Sequence, residues 1–262
     1  MSEPVLLSID NAIATLTFNR PDRLNAIDYD MARGFRDAAL RVEADAAVRA
    51  VMLRGAGKGF MAGGDVQLFH ESADKGLKRL LIDLTHDLHA AIVALRRMPK
   101  PVVACVHGAC AGGGFSTAMA CDLVIAAEDA KFTMAYSLIG ASPDGSSTFT
   151  LPRLVGFRRA MELALLSERF DSARAESLGL VNRTFPADRL EAEARTLMER
   201  LAGGPTLAFA KAKALFNRSL GSSLEAQLEA EAQSIAACAD TADFIDGIAA
   251  FSEKRKPTFT GT

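Results

Sequence analysis

The chain has 262 residues, 49% of them apolar and 24% charged. That length suits one large domain whose core needs no disulfide or metal staple. The 30 basic and 32 acidic residues leave a net charge of −2, which argues against nucleic acid as a partner, and no apolar run approaches the roughly 20 residues that span a bilayer. Residues 1–4 carry neither the basic nor the apolar stretch of a secretory leader, so the expected location is cytoplasmic. Cys105, Cys110, Cys121 and Cys238 form no CxxC pair and read as thiols of a reduced compartment. His86 and His89 lie three apart on a helical pattern with only Asp83 and Asp87 nearby, too few ligands to expect a metal site.

Residues 5–9 and 13–18 alternate and flank Asp10-Asn11, which predicts a β-hairpin. Asp28 is placed to cap a helix running to about residue 44, with Met31, Phe35, Ala38, Ala39 and Val42 on one face. Residues 50–53 are wholly apolar, the pattern of a strand covered on both faces. Residues 55–64 read as a glycine-rich loop. A long helix follows from about 77 to 97 and stops at Met98-Pro99-Lys100-Pro101. Two more buried strands are expected at 102–106 and 123–126, a short helix between them at 115–120, a fourth strand at 131–134 and a turn at 143–147. From Leu151 the pattern is helical, in stretches near 158–167, 173–178, 189–201, 207–217, 224–239 and 242–254. Strands alternate with helices in the first two-thirds and the last third is nearly all α, which predicts an α/β core followed by a helical region. No internal repeat or linker is evident. The apolar faces Leu207/Ala210/Ala214 and Leu224/Leu228/Ile235 suggest burial beyond one core.

Two glycine clusters stand out, at 59–65 and 108–114. Each follows a buried strand and precedes a helical pattern. Glycine there lets backbone approach a ligand, and a helix N-terminus offers unpaired N–H groups. Two such donors converging from separate loops would form an oxyanion hole; two tight turns are the plainer reading. Residues 57–62 also fit G-x-G-x-x-A. However, Gly63-Gly64-Asp65 stands where a helix should begin, and no acidic residue about 20 positions on closes a following strand, so a dinucleotide is not expected.

Asn19-Arg20-Pro21-Asp22-Arg23-Leu24-Asn25-Ala26 resembles the opening motif of the enoyl-CoA hydratase/isomerase (crotonase) superfamily. So do Phe60-Met61-Ala62-Gly63-Gly64-Asp65, the run from Lys100-Pro101-Val102 through His107-Gly108 and Gly112-Gly113-Gly114 to Ala120-Cys121-Asp122-Leu123, and the ending Ala250-Phe251-Ser252-Glu253-Lys254-Arg255. The resemblance covers essentially the whole chain in order. It implies a ββα spiral core, here residues 1–200, and a helical trimerisation region, residues 201–262, in a homotrimer or dimer of trimers. It implies an acyl-CoA thioester as substrate, with coenzyme A part of that substrate and no separate cofactor. The family's oxyanion donors map to the N–H groups of Gly64 and Gly113. The carbonyl near Ala62 maps to the adenine amino group, Arg23 to the CoA phosphates, and Phe251 and Lys254 to positions that reach the nucleotide from an adjacent subunit. Solvated charge is the plainer reading of Arg23 and Lys254, and helix packing that of Phe251.

The family's hydratases use two glutamates, whose positions here hold Ser116 and Tyr136. Neither is a good base at neutral pH, which argues against conventional hydration. A carboxylate stands eight residues on, at Asp144, where family isomerases place theirs; turn chemistry in Pro143-Asp144-Gly145-Ser146 is the plainer reading. His89 and Tyr136 match positions where 4-chlorobenzoyl-CoA dehalogenase keeps a general-base histidine and a tryptophan. The expectation is a double-bond isomerase working through Asp144. A hydratase, a dehalogenase-like enzyme and a catalytically weak acyl-CoA-binding paralogue are the alternatives. In relatives, residues 67–78 line the acyl pocket.

Overall fold

Strand β1 (Val5–Asp10) and strand β2 (Ile13–Phe18) form the expected antiparallel hairpin, turned by Asn11 and Ala12 at φ 48° and 63°. A computed structural model describes residues 3–262; Met1 and Ser2, part of the stretch read for a leader, lie outside them. Helix α1 (Tyr29–Ala44) starts where Asp28 accepts the Met31 N–H, and all five residues predicted for its inner face are buried.

The chain then winds three times through one ββα unit. The first is β3 (Ala50–Gly55), β4 (Gly59–Met61) and two helices, α2 (Val66–Glu71) and α3 (Leu77–Arg97). The second is β5 (Val102–Val106), β6 (Ala109–Ala111) and α4 (Gly113–Ala120). The third is β7 (Leu123–Ala127), β8 (Lys131–Thr133) and α5 (Ser147–Val155). After α6 (Phe157–Leu166), β9 (Phe170–Asp171), α7 (Ser172–Ser177) and β10 (Arg183–Phe185), the chain is helical: α8 (Leu190–Ala202), α9 (Thr206–Ser219), α10 (Leu224–Ala239) and α11 (Ala242–Glu253). The first strand of each unit joins a six-stranded sheet of order β1-β2-β3-β5-β7-β10, parallel from β2 onward. The second strands join a four-stranded sheet of order β4-β6-β8-β9. This is the α/β crotonase-like fold that the resemblance implied.

Residues 55–64 are therefore not all loop, and the stretch after Leu151 is not all helix. β4, β6, β9 and β10 have two or three residues each, too short to show a period, and are held by backbone pairing to strands elsewhere in the chain. The repeat lies in the backbone path.

Three polar residues lock this path. The fully buried Asn25 amide donates to the carbonyls of Ala56, Gly59 and Phe60 and accepts the Arg20 N–H, fixing β4. Arg20 reaches Asp28 at 2.9 Å and Asp65 at 3.1 Å, and these two aspartates cap α1 and α2. The buried Lys100 ammonium donates to the Val42 and Asp45 carbonyls, each at 2.5 Å, closing the C-terminus of α1; burial pushes its pKa down.

All four cysteines are free thiols, and burial pushes Cys105 up to about 12. No helix among the described residues is long and apolar enough to cross a membrane. Helices α9 and α10 bury none of their residues; Leu224, Leu228 and Ile235 are 69%, 53% and 63% exposed.

Candidate active site

A cavity of about 530 Å³ lies between α2–α3 on one side and residues 135–144 on the other, and the two glycine clusters share its wall. Ile27 pairs with the first cluster, its N–H donating to the Gly63 carbonyl at 2.7 Å and its carbonyl accepting the Asp65 N–H at 3.0 Å. That leaves the N–H of Gly64 between them. Gly63, at φ 98°, packs against the second cluster: a Cβ there would sit 3.1 Å from the Ala111 oxygen and 3.4 Å from the Gly113 nitrogen. The two loops therefore touch backbone to backbone, and Gly64 and Gly113 line one cavity. Among the described residues no carbonyl accepts either N–H. Gly113 opens α4, whose dipole adds positive potential at that donor. Two fixed, unpaired donors suit an oxygen that gains negative charge during reaction.

Asp144 lines the same cavity and is its one carboxylate among the described residues. Its Oδ1 accepts the Tyr136 hydroxyl at 2.6 Å, and the Tyr136 oxygen lies 2.8 Å from Ser116 Oγ. Burial first, and then the negative charge of Asp144, push the Tyr136 phenol well above its usual range. Tyr136 thus keeps its proton and donates a hydrogen bond to Asp144, while the Ser116 hydroxyl has both the Tyr136 oxygen and the Gly112 carbonyl, at 3.2 Å, within reach. The hydroxyls at the two positions that the resemblance assigned to glutamates are joined in series to the surviving carboxylate.

His89 stands behind the Asp144 loop and off the cavity wall, where its Nε2 accepts the Gly145 N–H at 3.1 Å. That lone pair is engaged, which places the ring proton on Nδ1. Ala62 is on the wall. Arg23 is exposed and donates to Gln67 at the start of α2. Phe251, 87% exposed, lines a separate cavity of about 360 Å³ with Phe244, Ile248 and Phe259, and Lys254 is exposed just beyond α11. Within one chain, then, Asp144, Gly64, Gly113, Ala62 and Tyr136 come together, while Arg23, His89, Phe251 and Lys254 do not join them.

Of residues 67–78, Phe69 alone lines the cavity, its ring seated against Gly64. The rest of the wall comes from α3, through Leu81, Leu84, Thr85 and Leu88, and from Leu138 and Ile139 opposite. Sequence reasoning did not single these out, although the 81/84/85/88 spacing marks one helical face that could have been followed. No three His, Cys, Asp or Glu side chains among the described residues gather as metal ligands.

Residues 8–262 match the profile of the family described as enoyl-CoA hydratase/isomerase. The chain belongs to that family. It is 34% identical over 261 residues, the whole length of both chains, to the 1,2-epoxyphenylacetyl-CoA isomerase of Escherichia coli K12. It is 32% identical over 244 residues to the 4-chlorobenzoyl coenzyme A dehalogenase-2 of an Arthrobacter species, covering 93% of this chain and 88% of the relative. The crystal structure of an enoyl-CoA hydratase from Polaromonas sp. JS666 superposes with a TM-score of 0.92 at 33% identity, covering 97% of this chain and 99% of that one. Hydratases, isomerases and a dehalogenase thus share this fold at similar distance, and the reaction has to be argued from the side chains of the site.

Proposed function

We propose that the protein is an isomerase of acyl-CoA thioesters that shifts a carbon–carbon double bond by proton transfer at Asp144. The observation that carries this reading is a single carboxylate in a cavity that also holds two unpaired backbone donors. Coenzyme A arrives as part of the substrate, and no separate cofactor is required. The thioester oxygen accepts the N–H groups of Gly64 and Gly113. Asp144 takes a proton from C2 of a 3-enoyl thioester, the electron pair spreads into a dienolate whose charge rests on that oxygen, and the proton returns at C4. The double bond moves from C3–C4 to C2–C3 with no net change in composition. Hydration asks for one group to activate water and another to protonate carbon, and Ser116 and the strongly protonated Tyr136 supply neither.

The same proposal includes a homotrimer or a dimer of trimers, supported by the uncovered apolar residues of α9–α11, and a cytoplasmic location, supported by four free thiols. Turnover of 3-enoyl-CoA beside 2-enoyl-, aryl- and 4-chlorobenzoyl-CoA esters tests the reaction. Asp144→Asn, nearly isosteric, is expected to lose about 10³-fold or more in isomerisation while binding the ester normally, and wild type to hydrate 2-enoyl-CoA poorly. An active Asp144→Asn enzyme would return Asp144 to the role of turn residue. Efficient hydration by wild type would overturn the isomerase reading.

A further inference from the structure

Resting on the isomerase reading, we infer that Tyr136 is a positioning residue that commits Asp144 to one reactive oxygen, so that isomerisation carries the substrate's own proton from carbon to carbon. Oδ1 is held by the Tyr136 hydroxyl at 2.6 Å, while no group among the described residues donates to Oδ2. Tyr136 is itself fixed. It is 8% exposed and opens the 3₁₀ turn Tyr136–Ile139; its N–H donates to the Met134 carbonyl at 2.8 Å, its carbonyl accepts the Ala141 N–H at 3.0 Å, and Ser116 backs its hydroxyl. The backbone beside the carboxylate is pinned separately, by the bond from Gly145 to His89 and by Gly145 packing on Ser116, whose Cβ would lie 2.8 Å from any Cβ at position 145. Side chain and backbone are each restrained, and the carboxylate is not free to exchange its oxygens.

The consequence is chemical. Oδ2 takes the C2 proton as the C–H bond breaks, and the pair left behind enters the dienolate. Asp144 shares a mostly apolar wall with Leu84, Leu88, Leu138 and Ile139, and those four side chains offer the proton no acceptor. The hydroxyls lie behind Oδ1 and not Oδ2: Tyr136 already donates to Oδ1, and loss of its proton is opposed by burial. The acceptor is C4 of the same substrate, where the O–H bond breaks and the new C–H bond forms.

The test uses the full-length protein and a 3-enoyl-CoA deuterated at C2, turned over in ordinary water. For wild type, label lost from C2 is expected at C4. Tyr136→Phe keeps the ring and its packing, which circular dichroism checks, but frees the carboxylate to turn. Its kcat is expected to fall about 10- to 100-fold with KM within about twofold, the scale of a hydrogen bond to a charged group, and label transfer is expected to fall with it. Ser116→Ala leaves the Tyr136–Asp144 bond in place and should cost about fivefold or less. If wild type isomerises and Tyr136→Phe matches it in kcat and label transfer, or changes KM alone, the inference is overturned and the isomerase reading stands. If wild type does not isomerise, that reading fails and the inference fails with it.

Discussion

Helix α4, at the centre of the fold, buries all eight of its residues, whereas α9 and α10 bury none of theirs. The first helix sits among strands, glycine loops and Asp144, and its neighbours within the chain cover it fully. The last helices carry apolar residues at core spacing with nothing over them: Phe216 is 81% exposed, Leu220 70% and Leu224 69%. They are nevertheless tied firmly to the core. Lys213 of α9 pairs with Asp122 at 2.7 Å and donates to the carbonyls of Leu95 and Lys100. The chain thus assembles the candidate site from its own buried elements and carries an exposed apolar surface beside them. The polar residues that shape the site answer one another locally, and the apolar residues of the last helices stay open within one chain.

The largest effect is expected from breaking the buried part at Asn25. Its amide serves three carbonyls of the segment that leads to Gly64 and the N–H of Arg20 in its own loop. Asn25→Ala strands several of these groups without water and is expected to cost about 3 kcal/mol or more. Urea unfolding measures it. Activity should fall further than stability alone requires, because β4 and the Gly64 donor lose their anchor. An Asn25→Ala enzyme with near-normal stability and turnover would show that the loop holds its shape without the amide.

That residue also shows what the sequence could and could not say. The motif from Asn19 to Ala26 was legible as a resemblance, but nothing in its letters revealed that Asn25 binds Ala56, Gly59 and Phe60, since those contacts join segments over 30 residues apart. The long elements were legible because period and caps are local: α3 spans the predicted 77–97, and Asp28 caps α1. β4 and β6 were not, because three-residue strands owe their existence to partners elsewhere. The glycine donors and Asp144 stood out by motif. The series Ser116–Tyr136–Asp144 did not, since a missing glutamate reads as a loss until the hydroxyls that replace it are seen bonded to the carboxylate.

A second prediction sharpens the comparison from the exposed side. Replacing Leu224 and Leu228 together with glutamate places charge on a face that is open within one chain. Subunit folding should be nearly unaffected, because neither residue belongs to the core cluster. Light scattering is expected to give three or six chain masses for wild type and a shift toward one for the double variant. A wild type with the mass of a single chain would mean that the exposed helices serve another partner.

The smallest effect concerns Lys254, where the two regions would meet if the adjacent subunit's tail reaches the coenzyme A, as the family resemblance implies. Lys254 caps α11 at φ 56°, a left-handed conformation that strains every residue with a Cβ, and its N–H closes the helix on the Ala250 and Phe251 carbonyls. A position that served only to end the helix would be better filled by glycine. Lys254→Gly relieves the strain and removes the charge, so the two roles give opposite signs. Stability should rise by up to about 1 kcal/mol, the left-handed penalty less the added entropy of the unfolded chain. Affinity for an acyl-CoA ester should fall about two- to fivefold at low ionic strength, and the difference should shrink as salt screens an exposed charge against the CoA phosphates. A stabilised variant that binds the ester as wild type does at every ionic strength would leave Lys254 a strained cap with no part in recognition.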